Sequence, residues 1–285
     1  MSPVDPDEQR AASREAWESA AGAWGRRADR VRAWGMPVSV AMIDAAGLQP
    51  GQRVLELAAG PGDTGFMAAE LIEPGGTLIS SDGAEAMLEV ARGRAAAAGL
   101  RNVEFAPLEL EWIDLAAATV DVVLCRWGIM LIVDPAAAAR EVRRVLRPGG
   151  RAAFAVWDER DRNPWATLPH AALVALGLAE PPDPDAPGSM FSLAGGGRLT
   201  DLLEGAGFTD VAVEAVAVAR AYDAIEEFIA ETAEISPSFS VAFRELSPAH
   251  RAAVTESIAA AAAPFIAPDG SVRLPGSSLV ASATA

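Results

Sequence analysis

The sequence predicts a doubly wound α/β fold, a sheet of seven strands, mostly parallel, with helices on both faces. Three observations predict it. Short and nearly continuous apolar runs recur between residues 53 and 157, helical patterns alternate with them, and glycine-rich turns such as GPGDTG at 60–65 punctuate the joins. Strands that are apolar on both faces are covered on both, because each parallel crossover lays a helix on one side or the other.

Element by element, residues 8–34 carry Trp17, Trp24 and Val31 at helical spacing, with Ala20, Ala21 and Ala28 on the same face, and Gly22 and Gly25 mark an expected bend. Pro37 is expected to end this helix, leaving a shorter one over 38–46 that stops at Gly47. QPGQ turns the chain into RVLELA, the first strand. TLISS at 77–81 is the second strand, and 84–98 is a helix with Met87, Leu88 and Ala91 on one face. Strands follow at 102–106, 120–125 and 151–157, the last two separated by a helix over 136–146. Beyond them the pattern loosens into a short helix from NPWATL, a proline-rich loop at 179–190 and a helix at 198–208. VAVEAVAVA at 211–219 alternates as a strand, 223–266 is mostly helical, and 277–284 is a last strand. The organisation expected is an N-terminal helical cap (1–47), a core (48–222 with 268–285, including a pocket-wall loop at 158–197), and a helical lid inserted at 223–267.

Composition narrows the function. The 39 acidic side chains against 23 basic give a formal charge of −16, which repels a phosphate backbone, so nucleic acid is not an expected partner. No apolar stretch approaches the roughly 20 residues that span a bilayer, the N-terminus opens with acids and prolines instead of a secretory pattern, and the single Cys125 cannot form an internal disulfide. A soluble, cytoplasmic protein is the expectation.

The sequence VLELAAGPGDTG ends the first strand in G-x-G-x-x-G, a loop whose bare backbone and following helix N-terminus suit a nucleotide. On its own the motif is weak. Glu56 and Asp63 bracket the loop and Pro61 removes an N–H donor, a combination that disfavours a pyrophosphate and favours a cationic ligand. Asp82, at the end of the second strand, is placed to take the hydroxyls of a ribose.

With these residues the chain resembles the class I S-adenosylmethionine-dependent methyltransferases, the small-molecule branch that includes the ubiquinone and menaquinone C-methylases. VLELAAGPG is similar to the family's first motif, with Glu56, Ala58, Gly60 and Gly62 in its acid and glycine places. SDGAEAMLEVAR resembles the second motif, which implies Asp82 at the ribose and Met87 on the adenine. LELEWIDLAAATVDVVL resembles the stretch that implies Glu109 at the adenine amino group and the Leu110 backbone at the ring. REVRRVLRPGGRAAFAVW and EGAGFTDVAVE are similar to the segments entering strands five and six. The resemblance spans roughly 10–285 and implies a Rossmann-like sheet with an antiparallel last strand, S-adenosylmethionine as cofactor, and a small-molecule acceptor. The chain departs from the pattern at Ala58, where the family has glycine, at Glu109 for the commoner aspartate, and at Asp114 for the commoner proline. N-P-W at 163–165, after strand five, reads as a turn.

Methyl transfer from a sulfonium needs in-line positioning and neither a metal nor a covalent intermediate, and the sequence offers no Cys/His cluster with metal spacing and no G-x-S-x-G elbow. His170 is the one candidate general base, and Arg126, at the exit of strand four, either approaches the cofactor or pairs with a helix acid. Trp24, Trp127, Trp165 and Phe191 are the candidate acceptor-pocket residues, Trp127 foremost, because the carboxyl end of strand four faces the crevice of such a sheet. An NAD(P)-dependent oxidoreductase and a non-catalytic S-adenosylmethionine-binding protein stay open, as do the acceptor, the atom methylated and the oligomeric state, a homodimer included.

Overall fold

In the computed structural model, residues 5–183, 186–195 and 197–285 are described. Seven strands form one sheet in the order β3-β2-β1-β4-β5-β7-β6: β1 (Arg53–Leu57), β2 (Thr77–Asp82), β3 (Val103–Pro107), β4 (Val120–Arg126), β5 (Leu146–Trp157), β6 (Thr209–Tyr222) and β7 (Val272–Thr284). β1 pairs in parallel with β2 and with β4, Val54 lying opposite Leu78 on one side and Val122 on the other. The order reverses there, so the chain leaves β1 and β4 in opposite directions and a crevice opens above their carboxyl ends. β7 runs antiparallel between β5 and β6.

The helices α2 (Asp63–Leu71), α3 (Glu85–Ala98), α4 (Pro135–Val145), α5 (Pro164–Ala175) and α6 (Arg198–Gly205) follow the strands as the alternation predicts. Leu55, Leu57, Leu124 and Phe154 are fully buried in the sheet's core. β6 and β7 are longer than their apolar centres suggest and pair out to Tyr222 and Val272. Between their far ends sit α7 (Ile225–Ile235), α8 (Pro237–Glu245) and α9 (Pro248–Ala262).

The N-terminal region departs from expectation. A single helix, α1, runs Pro6–Ala46 through Gly22, Gly25 and Pro37 without a break. At 1.5 Å per residue its 41 residues reach about 60 Å. Pro37 does not end it: Pro37 and Ala33, whose carbonyl loses its usual partner, are both exposed, so that carbonyl is open to solvent and its lost bond costs less than a buried one would. Meanwhile Val31, Trp34, Val38 and Met42 bury the same helix face on the sheet, and that burial outweighs one lost hydrogen bond. Gly25 serves close packing, since a Cβ there would sit 3.1 Å from Val90 Cγ1 on α3. The helix stops at Gly47, left-handed at φ 65°, whose N–H closes on the carbonyls of Ile43 and Asp44.

N-P-W at 163–165 starts a helix instead of making a simple turn: Asn163 is the N-cap of α5 and Pro164 its first residue. Of the pocket-wall segment 158–197, residues 184, 185 and 196 lie outside the described residues, as do residues 1–4 of the cap.

Candidate active site

Above the β1/β4 switch point lies a cavity of about 380 Å3. One wall is the carboxyl end of the sheet. Glu56, at the end of β1, is buried; its Oε1 accepts from the Gly65 N–H at 2.7 Å and its Oε2 from Ser80 Oγ at 3.3 Å. Gly65 has to be glycine here, because a Cβ at that position would run into the Glu56 carboxylate. Burial raises the Glu56 carboxyl from 4.5 to about 7, against the opposing pull of the Gly65 N–H and of Arg126. Ala58 takes a left-handed backbone, φ 50°, in the place where the related motif has glycine. Its methyl fits because residue 128 is glycine: a Cβ on Gly128 would stand 2.5 Å from Ala58 Cβ.

Asp82 ties the glycine loop to the next turn. Its Oδ2 accepts from the Gly60 N–H and its Oδ1 from the Ala84 N–H, both at 2.9 Å. Each oxygen retains a lone pair, and the residue lines the cavity. Burial holds this carboxyl above the usual range, with lesser contributions from Glu109 and Glu18.

Arg126, leaving β4, is a buried cation on the cavity wall. Its Nη1 donates to Ser39 Oγ at 3.0 Å, its Nη2 lies 3.5 Å from Asp63 Oδ2, and the guanidinium sits 4.8 Å from the Trp127 ring centre. α1 makes room for it at Gly35, where a Cβ would be 2.6 Å from Nη1. Asp63 is not a wall residue: it is held between Arg126 and Arg94, whose Nη1 is 2.8 Å from Asp63 Oδ1. The bracket of two free carboxylates expected from sequence is therefore one buried acid, Glu56, and one neutralised acid, Asp63.

The opposite wall is the first half of α1. Arg10 grips Glu111 with Nε and Nη2, both at 2.9 Å, and Arg14 pairs with Glu109. Glu18 reaches the N-terminus of α3 and accepts from the N–H groups of Glu85 and Ala86 at 2.7 and 2.9 Å, where Ala84 offers no side-chain cap. Gln9 Nε2 donates to the Pro187 carbonyl at 2.7 Å. Trp17 and Trp24 meet edge to face at 5.7 Å and cover Met87.

Of the residues singled out from sequence, Glu56, Ala58, Gly60, Asp82, Met87, Glu109, Leu110, Arg126, Trp24 and Trp127 line this one cavity. Gly62 does not; it caps α2 at φ 90°. His170 is also outside it, on α5, with Nε2 3.2 Å from the Glu180 carbonyl, and so is not placed as a general base. α5 packs against α9 and β7, which directs it away from the crevice. Trp165 is buried behind the wall, its Nε1 on Asn163 Oδ1 at 3.1 Å, and Phe191 is buried beneath Arg160. The insertion at 223–267 contributes no residue to the wall; it braces α1 instead, through Trp24 Nε1 on the Ile235 carbonyl and through Arg27 on Glu234.

Sequence reading missed Arg10, Arg14 and Trp17. The signal was present: residues 10, 14, 17, 21 and 24 step along one helix face, with charge at its start and indole at its end.

Known proteins resemble this chain in sequence and in fold. Residues 48–175 match the family model described as Methyltransferase domain, Methyltransf_31. Over 110 residues, 38% of this chain and 44% of the relative, the chain is 33% identical to the Ubiquinone/menaquinone biosynthesis C-methyltransferase UbiE of Cellvibrio japonicus. Over 121 residues, 42% of this chain and 43% of the relative, it is 36% identical to an uncharacterized protein of Mycobacterium tuberculosis. The chain thus spans less than half the length of these curated relatives. The YcgJ protein from Bacillus subtilis has the same fold, with a TM-score of 0.56 at 17% identity over 86% of this chain and 97% of that one. Residues 48–175, which carry the strand ends that wall the cavity, are thus similar to methyltransferase domains in sequence, and the sheet as a whole shares its fold with the YcgJ protein.

Proposed function

We propose that the chain transfers the methyl group of S-adenosylmethionine to a small, mostly apolar or aromatic acceptor. The observation that carries this reading is Asp82, fixed by two N–H groups on the rim of a cavity whose floor is the Ala58–Gly60 loop. The donor set fits the cofactor. Asp82 has free lone pairs for a pair of hydroxyls, and Glu109 and Leu110 border the side where an adenine amino group and ring would lie, with Met87 as an apolar face. Arg126 offers a guanidinium to a carboxylate, and the Trp127 ring offers its face to a cation.

Bound there, S-adenosylmethionine supplies an electrophilic methyl on a sulfonium. The chain's own residues position and desolvate. Ser39 and Asp63 fix the Arg126 guanidinium, whose charge in turn pulls against the burial that raises the Glu56 carboxyl. The first half of α1 acts as the lid, and Trp17 and Trp24 exclude water over the cavity. The insertion at 223–267 is the brace behind that lid. With His170 remote, acceptor activation falls to orientation and water exclusion.

Calorimetric titration with S-adenosylhomocysteine tests the reading. Saturable binding is expected, with none for NADH under the same conditions; the reverse order of affinity would refute it.

A further inference from the structure

The sheet has two edges, and the chain protects them unequally. β3, at one edge, is five residues long, carries the exposed Glu104 and ends at Pro107. Shortness, charge and proline are the devices that keep a sheet edge from pairing with another chain. β6, at the other edge, is 14 residues long. Its pairing with β7 runs without a bulge from Ala212 to Tyr222, and that stretch, AVEAVAVARAY, holds no proline and no lysine.

The register shows which backbone groups of β6 are spare. The Ser277 carbonyl of β7 accepts from the Asp158 N–H at 3.1 Å, and just past the strand the Ala285 carbonyl accepts from the Gly149 N–H, so the odd-numbered residues of β7 turn their polar groups toward β5 and the even-numbered ones toward β6. Ala212 lies opposite Ser282 and Val218 opposite Gly276, which makes the even residues of β6 the bonded ones. Val213, Ala215, Ala217, Ala219 and Ala221 therefore aim N–H and C=O away from the sheet, and no hydrogen bond joins these backbone groups to any described residue. Their side chains share one face, and all but Ala219 are exposed there. On the other face the edge borders a groove of about 470 Å3 against the second half of α1, lined by Pro37, Val40, Ala41 and Val280, with Val40 42% exposed.

We propose that β6 pairs antiparallel with β6 of a second copy of this chain, about a two-fold axis through Ala217, so that the two sheets become one. The edge is nearly self-complementary about that residue, as a symmetric contact requires. Val216 meets the partner's Val218, Ala215 meets the partner's Ala219, and Glu214 meets the partner's Arg220, the sole acid of the stretch against its sole base, twice over by symmetry. Ala217 is also the midpoint of 212–222, so this axis engages all five outward-facing residues, whereas a shifted register leaves some unpaired. The stretch is neutral within a chain of charge −16, so the copies meet where repulsion is weakest, and the rest is screened beyond about 8 Å at physiological salt. β5 and β7 separate this edge from the β1/β4 switch point, which leaves the cavity outside the interface. The inference does not depend on the methyltransferase reading.

Sedimentation equilibrium of the full chain tests it. The expected species is a dimer, twice 29.5 kDa, with a dissociation constant of about 10 μM or tighter. Ala217→Lys sets two ammonium groups opposite each other on the axis without touching a bond to β7, and is expected to weaken the dimer about tenfold or more. Glu214→Arg, which places an arginine opposite the partner's Arg220, is expected to weaken it in the same direction and serves if Ala217→Lys fails to fold. Far-ultraviolet circular dichroism matching that of the parent chain identifies a folded variant. A parent chain that stays monomeric at about 100 μM overturns the inference by leaving the edge to a different partner. A dimer that a folded variant leaves as tight as before overturns it by placing the interface elsewhere.

Discussion

The two walls of the cavity are built on opposite physical terms. The sheet wall is made of carboxylates anchored by backbone N–H groups, the buried Glu56 by Gly65 and the half-buried Asp82 by Gly60 and Ala84. Such bonds are shielded from salt and lose a great deal if one partner is removed. The α1 wall is held by side-chain ion pairs: a two-pronged one from Arg10 to the nearly buried Glu111, and a partly exposed one between Arg14 and Glu109 that is individually weak and screened. The first wall is tied to the backbone, whereas the second is held by side chains and is the one expected to open for a ligand. A cavity with one fixed and one releasable side lets a ligand enter without the sheet being disturbed.

The sharpest way to break this comparison is at Asp82. Asp82→Ala leaves two N–H groups without their acceptor and removes the carboxylate from the rim. It is expected to weaken S-adenosylhomocysteine binding about 100-fold or more, the equivalent of about 3 kcal/mol, and to lower the melting temperature. If calorimetry instead found Asp82→Ala milder than any change in α1, the sheet wall would not be the fixed one.

Next in size is the fit between Ala58 and Gly128. Gly128→Ala should destabilise the chain by about 1–3 kcal/mol, because the new methyl meets Ala58 Cβ on a wall that cannot shift. Ala58→Gly should recover most of that loss in the double variant, a coupling read by chemical denaturation. Additive losses would mean that the loop gives way and is not preformed.

How much of this was legible depends on distance along the chain. Glu56, Ala58, Gly60 and Asp82 sit in compact stretches at strand ends, where a local pattern and a parallel sheet together fix position, and the alternation of strands and helices fixed the sheet itself. On α1 the shared helix face of Arg10, Arg14 and Trp17 was legible but its partners were not, because Arg10 and Glu111 are 101 residues apart and Arg14 and Glu109 are 95, and no local pattern announces such pairs. Pro37 misled because the rule against proline inside helices is local, whereas the burial that overrides it is tertiary. His170, Trp165 and Phe191 were misplaced for a related reason. The direction of α5 is set by Asn163, which reaches across to the Ser277 backbone on β7 with both ends of its amide, a clamp that spans 114 residues.

Acidity sharpens the comparison on the fixed wall. The Glu56 carboxyl rises from 4.5 to about 7 on burial, so the folded state keeps a proton that the unfolded chain gives up. The associated stability is present below pH 4.5 and is lost as pH rises through 7. Glu56→Gln should therefore show a flatter stability profile between those limits, by about 1–3 kcal/mol relative to the parent chain, in denaturation curves taken at a series of pH values. A parallel pair of profiles would show Glu56 to be ionised throughout.

The smallest effect belongs to the movable wall. Arg14→Ala removes the pair with Glu109 while leaving the Arg10 grip on Glu111 and the Glu18 cap on α3 intact. Because the pair is partly exposed, S-adenosylhomocysteine should dissociate only about threefold to fivefold faster from the variant at low salt. Raising the ionic strength to about 0.5 M screens the same interaction in the parent chain, so its dissociation rate should climb toward that of the variant. Stopped-flow release at the two salt concentrations reads both effects. A variant whose release is as slow as the parent's at low salt would show that α1 is held by its apolar face alone, Trp17 and Trp24 over Met87, and that the charges merely decorate the wall.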